Sequence, residues 1–398
     1  MAKVDVYGDT LAALRTGVGL IPVLAFESAA PGTHTLTIPA NCIYWEAGIM
    51  GSGGTGGANY NAAGGKATGG TGASWARAIR RPTSGATTIT LILGAIAAGV
   101  VAPSTGNNGS TSTASDGTIT ITAPGGVAGT QNSSTTSLAG AVASTAASVS
   151  DSGALESARS TASGTVNTGS TAIPGASGGT APGGPWGNGA ASGGVTATTA
   201  GASGGSSPKF ASGTVSNAAS ASGGGGIGGA SATPTANTGS PGGGSVGAST
   251  ATLRGPGSVA GTTVRLAMQS PGEPMVYGTA YGRGGTGGTD AAAGDGEDGG
   301  GGGGSADGGG VTTGGHGGFK GGGGAACDTT GVAVTSGDGG PFAGSGAALS
   351  TAFAGAQTSG RAGIGAGSGG VVGVNGAAVP TSGAGGAPYG FVRFYVRA

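Results

Sequence analysis

One residue in four of this chain is glycine, 100 of 398, set in short runs such as Gly53-Gly54, Gly223 to Gly226, Gly299 to Gly304 and Gly321 to Gly324. Glycine loses more backbone freedom on folding than any other residue and brings no side chain to bury. A chain of this kind either stays disordered or is held together by backbone hydrogen bonds. Charge favours order: only 8% of the residues are charged and the formal net charge is zero, whereas disordered chains are kept open by high net charge. Aromatic residues make up 4%, too few, with the scarcity of Leu, Ile and Phe, for a large conventional core. Between Pro103 and Thr250 the only charged residues are Asp116, Asp151, Glu156, Arg159 and Lys209. That stretch of small neutral side chains suits contact of backbone against backbone.

Glycine does not recur at every third position over any long stretch, which excludes a collagen triple helix. Glycine chains have another ordered solution, an extended helix of about three residues per turn with no internal hydrogen bonds. Unlike proline, glycine keeps its N–H, so such helices can pack side by side and satisfy their backbone groups between helices. A polyglycine-II bundle of this type is expected for much of residues 127–385.

The two ends of the chain read differently. Asp9 to Arg15 reads as a short helix, with Asp9 as N-cap and Gly17 as its stop. Leu20 to Phe26 reads as a strand with an early Pro22. Alternating apolar residues predict strands at Thr35 to Pro39 and Cys42 to Ile49, with Pro39-Ala40-Asn41 as the turn between them. Strands are also predicted at Ser74 to Arg80 and Thr87 to Leu93, joined through Pro82 to Gly85, and at Thr118 to Thr122. The chain closes on Tyr389 to Arg397, which has strong β-propensity. The expected fold is therefore mainly β with little helix: a small antiparallel β module carrying a glycine-rich body of packed polyglycine-II helices and loops. The organisation reads as an N-terminal attachment segment (1–34), a β module (35–126) and an Ala/Ser/Thr/Gly low-complexity body (127–250). A glycine-rich body with recognition loops (251–385) and a C-terminal strand closing the module (386–398) follow.

Catalytic and metal-binding signatures are not found. The two histidines, His34 and His316, form no Ser/His/Asp or Cys/His arrangement that spacing supports. Phosphate-loop patterns arise by chance at this glycine content, and Gly64-Gly65-Lys66-Ala67 lacks the hydroxyl residue needed after lysine. Asp290, Asp295, Glu297, Asp298 and Asp307 offer oxygen ligands for calcium. A calcium β-roll, however, needs a bulky apolar residue in each nonapeptide, and Asp290 to Gly310 contains none; they read as a solvated acidic loop. No cofactor and no metal are expected. Cys42 and Cys327 do not make a disulfide framework or a zinc site; two small buried thiols are the default, with a long-range bridge as the alternative. The neutral charge balance speaks against a nucleic-acid partner. The apolar stretch Ile89 to Pro103 is too short for a membrane span and is broken by Gly94 and Gly99. Met1-Ala2-Lys3-Val4-Asp5 is followed by no uninterrupted apolar region, so no secretion signal is read and synthesis in the cytoplasm is expected.

Six aromatic residues stand in glycine or small-residue surroundings: Tyr60, Trp186, Phe210, Phe319, Phe342 and Phe353. Two readings are open for them. They cap the ends of the glycine bundle, or they are exposed anchors for sugar rings or an outer-membrane protein, since aromatic rings give contact area at low entropic cost. His316, in Gly314-Gly315-His316-Gly317-Gly318-Phe319-Lys320, joins them as a recognition candidate.

The order of these pieces resembles the glycine-rich tail-fibre and tail-tip adhesin proteins of bacteriophages. The resemblance rests on Leu36-Thr37-Ile38-Pro39-Ala40, then Ile43 to Met50 running into Gly51-Ser52-Gly53-Gly54, then Ser84 to Gly94 in the place of a hairpin with a Gly/Pro turn. Gly106 to Gly126 and the closing Gly386-Ala387-Pro388-Tyr389-Gly390-Phe391-Val392 complete it. It covers roughly residues 33–126 and 383–398, plus the composition between; the Ala/Ser/Thr-rich stretch 127–222 departs from it in having fewer Gly-Gly pairs. The resemblance implies a non-enzymatic virion protein of the tail that binds a polysaccharide or outer-membrane protein on the host surface, with residues 1–34 attached to other tail or baseplate proteins. It implies a homotrimer, as fibres usually are, or a monomeric tip adhesin. Rival readings are a virion component without receptor binding (fibre shaft, baseplate or decoration), and a glycine-rich calcium- or ice-binding surface protein.

Overall fold

A computed structural model describes residues 20–60, 64–196, 199–206, 220–226, 231, 234, 238–243, 264–265, 277–278, 285–289, 291–297, 299–306, 312–352, 356–374 and 379–397. The expected helix at Asp9 to Arg15 lies outside them. No helix occurs among the described residues; the chain is mainly β.

Ordinary sequence makes a β-sandwich. One antiparallel sheet runs in the order Leu20–Ser28, Tyr389–Arg397, Cys42–Met50, Trp75–Arg80, Glu156–Ala158. The second runs Ser148–Val149, Thr120–Ala123, Ser112–Ser115, Thr88–Leu93, Gly32–Thr37. Alternation along the strands places Trp45, Ala47, Ile49, Ala76, Val392 and Phe394 of the first sheet against Ile89, Leu91, Leu93, Ala114 and Ile121 of the second. Pro22 is accommodated because Leu20–Ser28 is an edge strand.

The expected turn at Pro39 to Asn41 closes with the Cys42 N–H on the Pro39 carbonyl, and it carries the chain between sheets, since Gly32–Thr37 pairs with Thr88–Leu93. Likewise Trp75–Arg80 and Thr88–Leu93 do not form a hairpin, because the connection through Pro82 crosses from one sheet to the other. Each of these strands has one apolar face, and crossing between sheets lets both apolar faces meet. The module also starts before residue 35 and recruits strands beyond 126, since Leu20–Ser28, Ser148–Val149 and Glu156–Ala158 belong to it.

Glycine-rich sequence makes rods. The Cys42–Met50 strand runs straight into rod 51–58, which leaves the sandwich; rod 65–74 returns and becomes the Trp75–Arg80 strand. Successive N–H groups of one rod bond to three different neighbours. In rod 343–350, Gly344 donates to Gly205, Ser345 to Gly367 and Gly346 to Gly337; Ala347 and Ala348 then return to Ala202 and Gly370. A three-residue repeat of hydrogen-bond direction is the signature of the three-residue-per-turn helix. The peptides of this rod are thus satisfied by neighbouring rods rather than by its own helix.

The rods stack in layers. A middle layer of outbound rods (285–289, 299–306, 321–328, 343–350, 366–373 and 51–58) is parallel within itself. Inbound rods 238–243, 220–226, 200–206, 174–184 and 65–74 cover one side. Inbound rods 312–318, 333–340, 356–363 and 379–388 cover the other. Rods 138–145, 158–166 and 190–196 add a partial fourth layer. The Ala/Ser/Thr-rich stretch therefore joins the same lattice despite its few Gly-Gly pairs.

Close approach explains the glycine. A Cβ on Gly344 would fall on the carbonyl of Gly179, and one on Gly179 would fall on the carbonyl of Gly367. The opposite seam uses hydroxyls: Ser336, Ser345, Ser359 and Ser368 each donate to one glycine carbonyl in the neighbouring layer and accept from one glycine N–H on the next rod of their own layer, at 2.6–3.0 Å.

Candidate functional site

The bundle has two ends of different character. At the near end, beside the sandwich, rods turn around large side chains. Trp186, Phe319, Phe342 and Ile364 pack with Met50, Trp75, Tyr389 and Phe391 on the outer face of the first sheet. Phe342 is 4% exposed and meets Trp186, Phe319 and Tyr389 edge-on, with centroids 5.2, 6.3 and 6.1 Å apart. Lys320 is 2% exposed, with its Nζ 3.8 Å from the Trp186 ring centre. Three of the aromatic recognition candidates are thus brought together in a cap that joins bundle to module, and the segment 316–320 belongs to this near end. The Phe342 ring is spent on packing.

At the far end outbound rod 321–328 turns back into rod 333–340 through a described turn. Tyr60 sits there, half-buried against Ala58, Ala102 and Val371. Lys66 is fully buried and donates to the carbonyl of Gly64 at 2.8 Å; burial holds its pKa below the usual value. The Asp328 carboxylate is buried and accepts from the N–H groups of Thr330, Gly331 and Val332 at 3.0–3.1 Å, closing one turn. These groups fix the loops on rigid rods. Phe210 and Phe353 lie outside the described residues.

His316 stands on the outer face of an inbound layer, 53% exposed. It belongs to a row with one side chain per rod. Asp295 Oδ1 accepts from the His316 N–H at 2.7 Å, His316 Nδ1 from the Asp338 N–H at 3.0 Å, and Asp338 Oδ1 from the Arg361 N–H at 2.6 Å. Each side chain stands in for the rod that would lie beyond the face. The acceptor role requires an unprotonated Nδ1. Beside this row runs another, in which Thr313, Thr335, Thr358 and Thr381 lie side by side on successive rods. Sequence reading missed both rows, because their members are about 22 residues apart and come together only through the rod register.

The densest set of ionisable groups lies in the sandwich. Glu46 is fully buried; it accepts from Arg77 Nε at 2.6 Å and from the Tyr395 hydroxyl at 2.7 Å, with Arg393 Nη1 at 3.5 Å. Burial works against the Arg77 charge, but Glu46 and Glu156 hold its pKa above the usual value. Burial, with Glu46 alongside, pushes the Tyr395 hydroxyl up to about 12. The set ties Cys42–Met50, Trp75–Arg80 and Tyr389–Arg397 together, with Glu46 wholly buried and Glu156 of a fourth strand at the partly exposed rim.

Among the described residues, no three His, Cys, Asp or Glu side chains converge on a metal-sized point. None of the described segments is a helix long and apolar enough to cross a membrane. No disulfide joins Cys42, in the sandwich, to Cys327, buried with Leu349 and Val372 in the bundle. No protein-family model matches the chain, and no curated protein matches it.

Proposed function

We propose that the chain is a receptor-binding protein of a bacteriophage tail, seated by its sandwich end and presenting the far-end loops to the host surface. The observation that carries this reading is the polarity of the bundle. The outbound and inbound rods are tied to one another by backbone bonding, and the described far-end turn at 328–332, closed by the Asp328 carboxylate, is held away from the sandwich. Loops on a rigid scaffold are where recognition is commonly built. Residues 1–19 precede the Leu20–Ser28 strand, so a tail attachment in that segment would leave the far end outermost.

The monomeric tip adhesin is the form we favour over a fibre trimer. One chain supplies all the layers, and the middle layer finds its hydrogen-bond partners within that chain. A homotrimer is not required to satisfy the backbone. Recognition without catalysis fits the neutral, loop-based far end, and its partner is a host polysaccharide or outer-membrane protein.

The test is adsorption of the purified full-length protein to a panel of bacterial cells, beside variants at the far end (Tyr60→Ala, and exchange of the turn 329–331). We expect cell binding by the parent protein, lost in far-end variants that keep the parent melting temperature. An ordered protein that binds none of the cells, on a virion where it is present, would support the scaffold reading instead.

A further inference from the structure

Two non-glycine residues have left-handed backbone, Lys320 (φ 61°) and Phe342 (φ 63°). Both lie in the near-end cap, on adjacent turns linked by the Lys320 N–H bond to the Pro341 carbonyl at 3.0 Å. Left-handed backbone is costly for residues with a Cβ and persists only where the surroundings enforce it. The side chain of Lys320 is a second cost at the same place. Its amine is buried against the faces of Trp186 and Phe319, 3.8 and 5.5 Å from the ring centres, and among the described residues no carboxylate pairs with it. A third oddity is the Trp186 Nε1–H, which is buried and meets no acceptor.

We propose that Lys320 is a proton-operated latch in the joint between bundle and sandwich. Uncharged, it stays packed under Trp186 and holds the 319–320 and 341–342 turns on the sandwich. Protonated, it draws its turn toward water, and the same movement releases the left-handed backbone at both residues.

Among the described residues, the surrounding ionisable groups leave this titration to burial. On the sandwich side, Tyr389 lies behind Phe342 and gives its hydroxyl to Glu27 at 2.5 Å. On the bundle side, Glu297 precedes the Gly299 that bonds Phe319, and Arg159 borders the Trp186 turn through Asn188; both are exposed. Burial alone lowers the Lys320 amine, to about 7. The Trp186 face favours the charged form and draws the titration upward from there. A lysine depressed in the folded state makes stability rise with pH between its folded value and the ordinary lysine value, and fall on acidification through that window.

The test is hydrogen exchange of the full-length protein followed by mass spectrometry across roughly pH 6 to 9, corrected for intrinsic rates. Exchange at the turns 184–187, 318–321 and 340–343 is expected to rise at least about tenfold toward the acid end, while the rods stay protected. Lys320→Met should hold the turns closed throughout, and Lys320→Arg should hold them open throughout. Equal pH profiles in the parent and Lys320→Met would overturn the proposal. Should Lys320→Met fail to fold, the parent profile decides alone: a response confined to these turns supports the latch, and one that is absent or spread over the whole bundle rejects it.

Discussion

The Ser345 hydroxyl donates to the Gly360 carbonyl at 2.6 Å, across the seam between the middle layer and an outer one. The same oxygen accepts from the Gly369 N–H at 2.9 Å. One hydroxyl thus serves a donor and an acceptor that no peptide reaches. Replacing it leaves two buried backbone groups without that partner, at roughly 1–3 kcal/mol each. Ser345→Ala is expected to lower stability by roughly 2–4 kcal/mol, read as a shift in the urea midpoint at unchanged slope. A change within about 0.5 kcal/mol would show that water enters the seam.

The glycines divide into two kinds. A Cβ at Gly344 would overlap the Gly179 carbonyl, and neither rod can retreat without breaking bonds to its other neighbours. Gly85 instead has φ +85° and open space where a Cβ would go. Gly344→Ala is expected to cost more than about 4 kcal/mol or abolish soluble protein. Gly85→Ala should cost only about 1–2 kcal/mol, from left-handed backbone alone. Soluble yield and thermal melts of the two variants check this; equal behaviour would mean the rods are looser than their hydrogen bonds imply.

Much of this architecture is written in the sequence, at different depths. The sandwich strands show themselves by alternation, as at Cys42–Met50, because one face is buried and one is not. Their pairing does not, since a crossing between sheets and a hairpin use the same proline turn. The rods follow from glycine with too little charge for disorder. Their register is subtler: the seam serines all precede glycine, in Ser336-Gly337, Ser345-Gly346, Ser359-Gly360 and Ser368-Gly369. That dipeptide has a physical cause, a hydroxyl beside a close contact, but in a chain full of Ser and Gly it does not stand out. The aromatic candidates were identifiable as unusual; only the fold separates Tyr60 at the far end from Trp186, Phe319 and Phe342 in the cap.

The Glu46 carboxylate carries a different kind of risk. It is fully buried between Arg77 and Arg393, with Tyr395 donating to it. Removing its charge leaves two guanidinium groups with one carboxylate, Glu156, at the rim. Glu46→Gln keeps the shape and is expected to cost about 3–5 kcal/mol. Because Glu46 itself is wholly buried, cell binding at a temperature well below the melt should be unchanged. A loss of binding in a folded Glu46→Gln protein would assign the sandwich a part in recognition.

Asp116 links two turns of the sandwich. Its Oδ2 accepts from the N–H and hydroxyl of Thr83 at 3.0 and 2.7 Å, and its Oδ1 from the N–H groups of Thr118 and Ile119 at 3.0 and 2.8 Å. Burial disfavours the charge, but the bonds from Ile119, Thr83 and Thr118 outweigh it and hold the pKa below the usual carboxylate range. A carboxylate depressed in the folded state contributes stability above its unfolded value, about 3.9, and loses it as pH falls through the folded value. Asn offers one acceptor oxygen and turns its amide hydrogens on the other pair of donors. Asp116→Asn is therefore expected to cost about 1.5–3 kcal/mol at neutral pH. The gap should close only as the pH falls through the depressed folded value, where the native carboxyl is itself protonated. Urea titrations of both proteins at neutral and acid pH measure it; a gap that persists unchanged in acid would mean that shape, not charge, is what the two turns require.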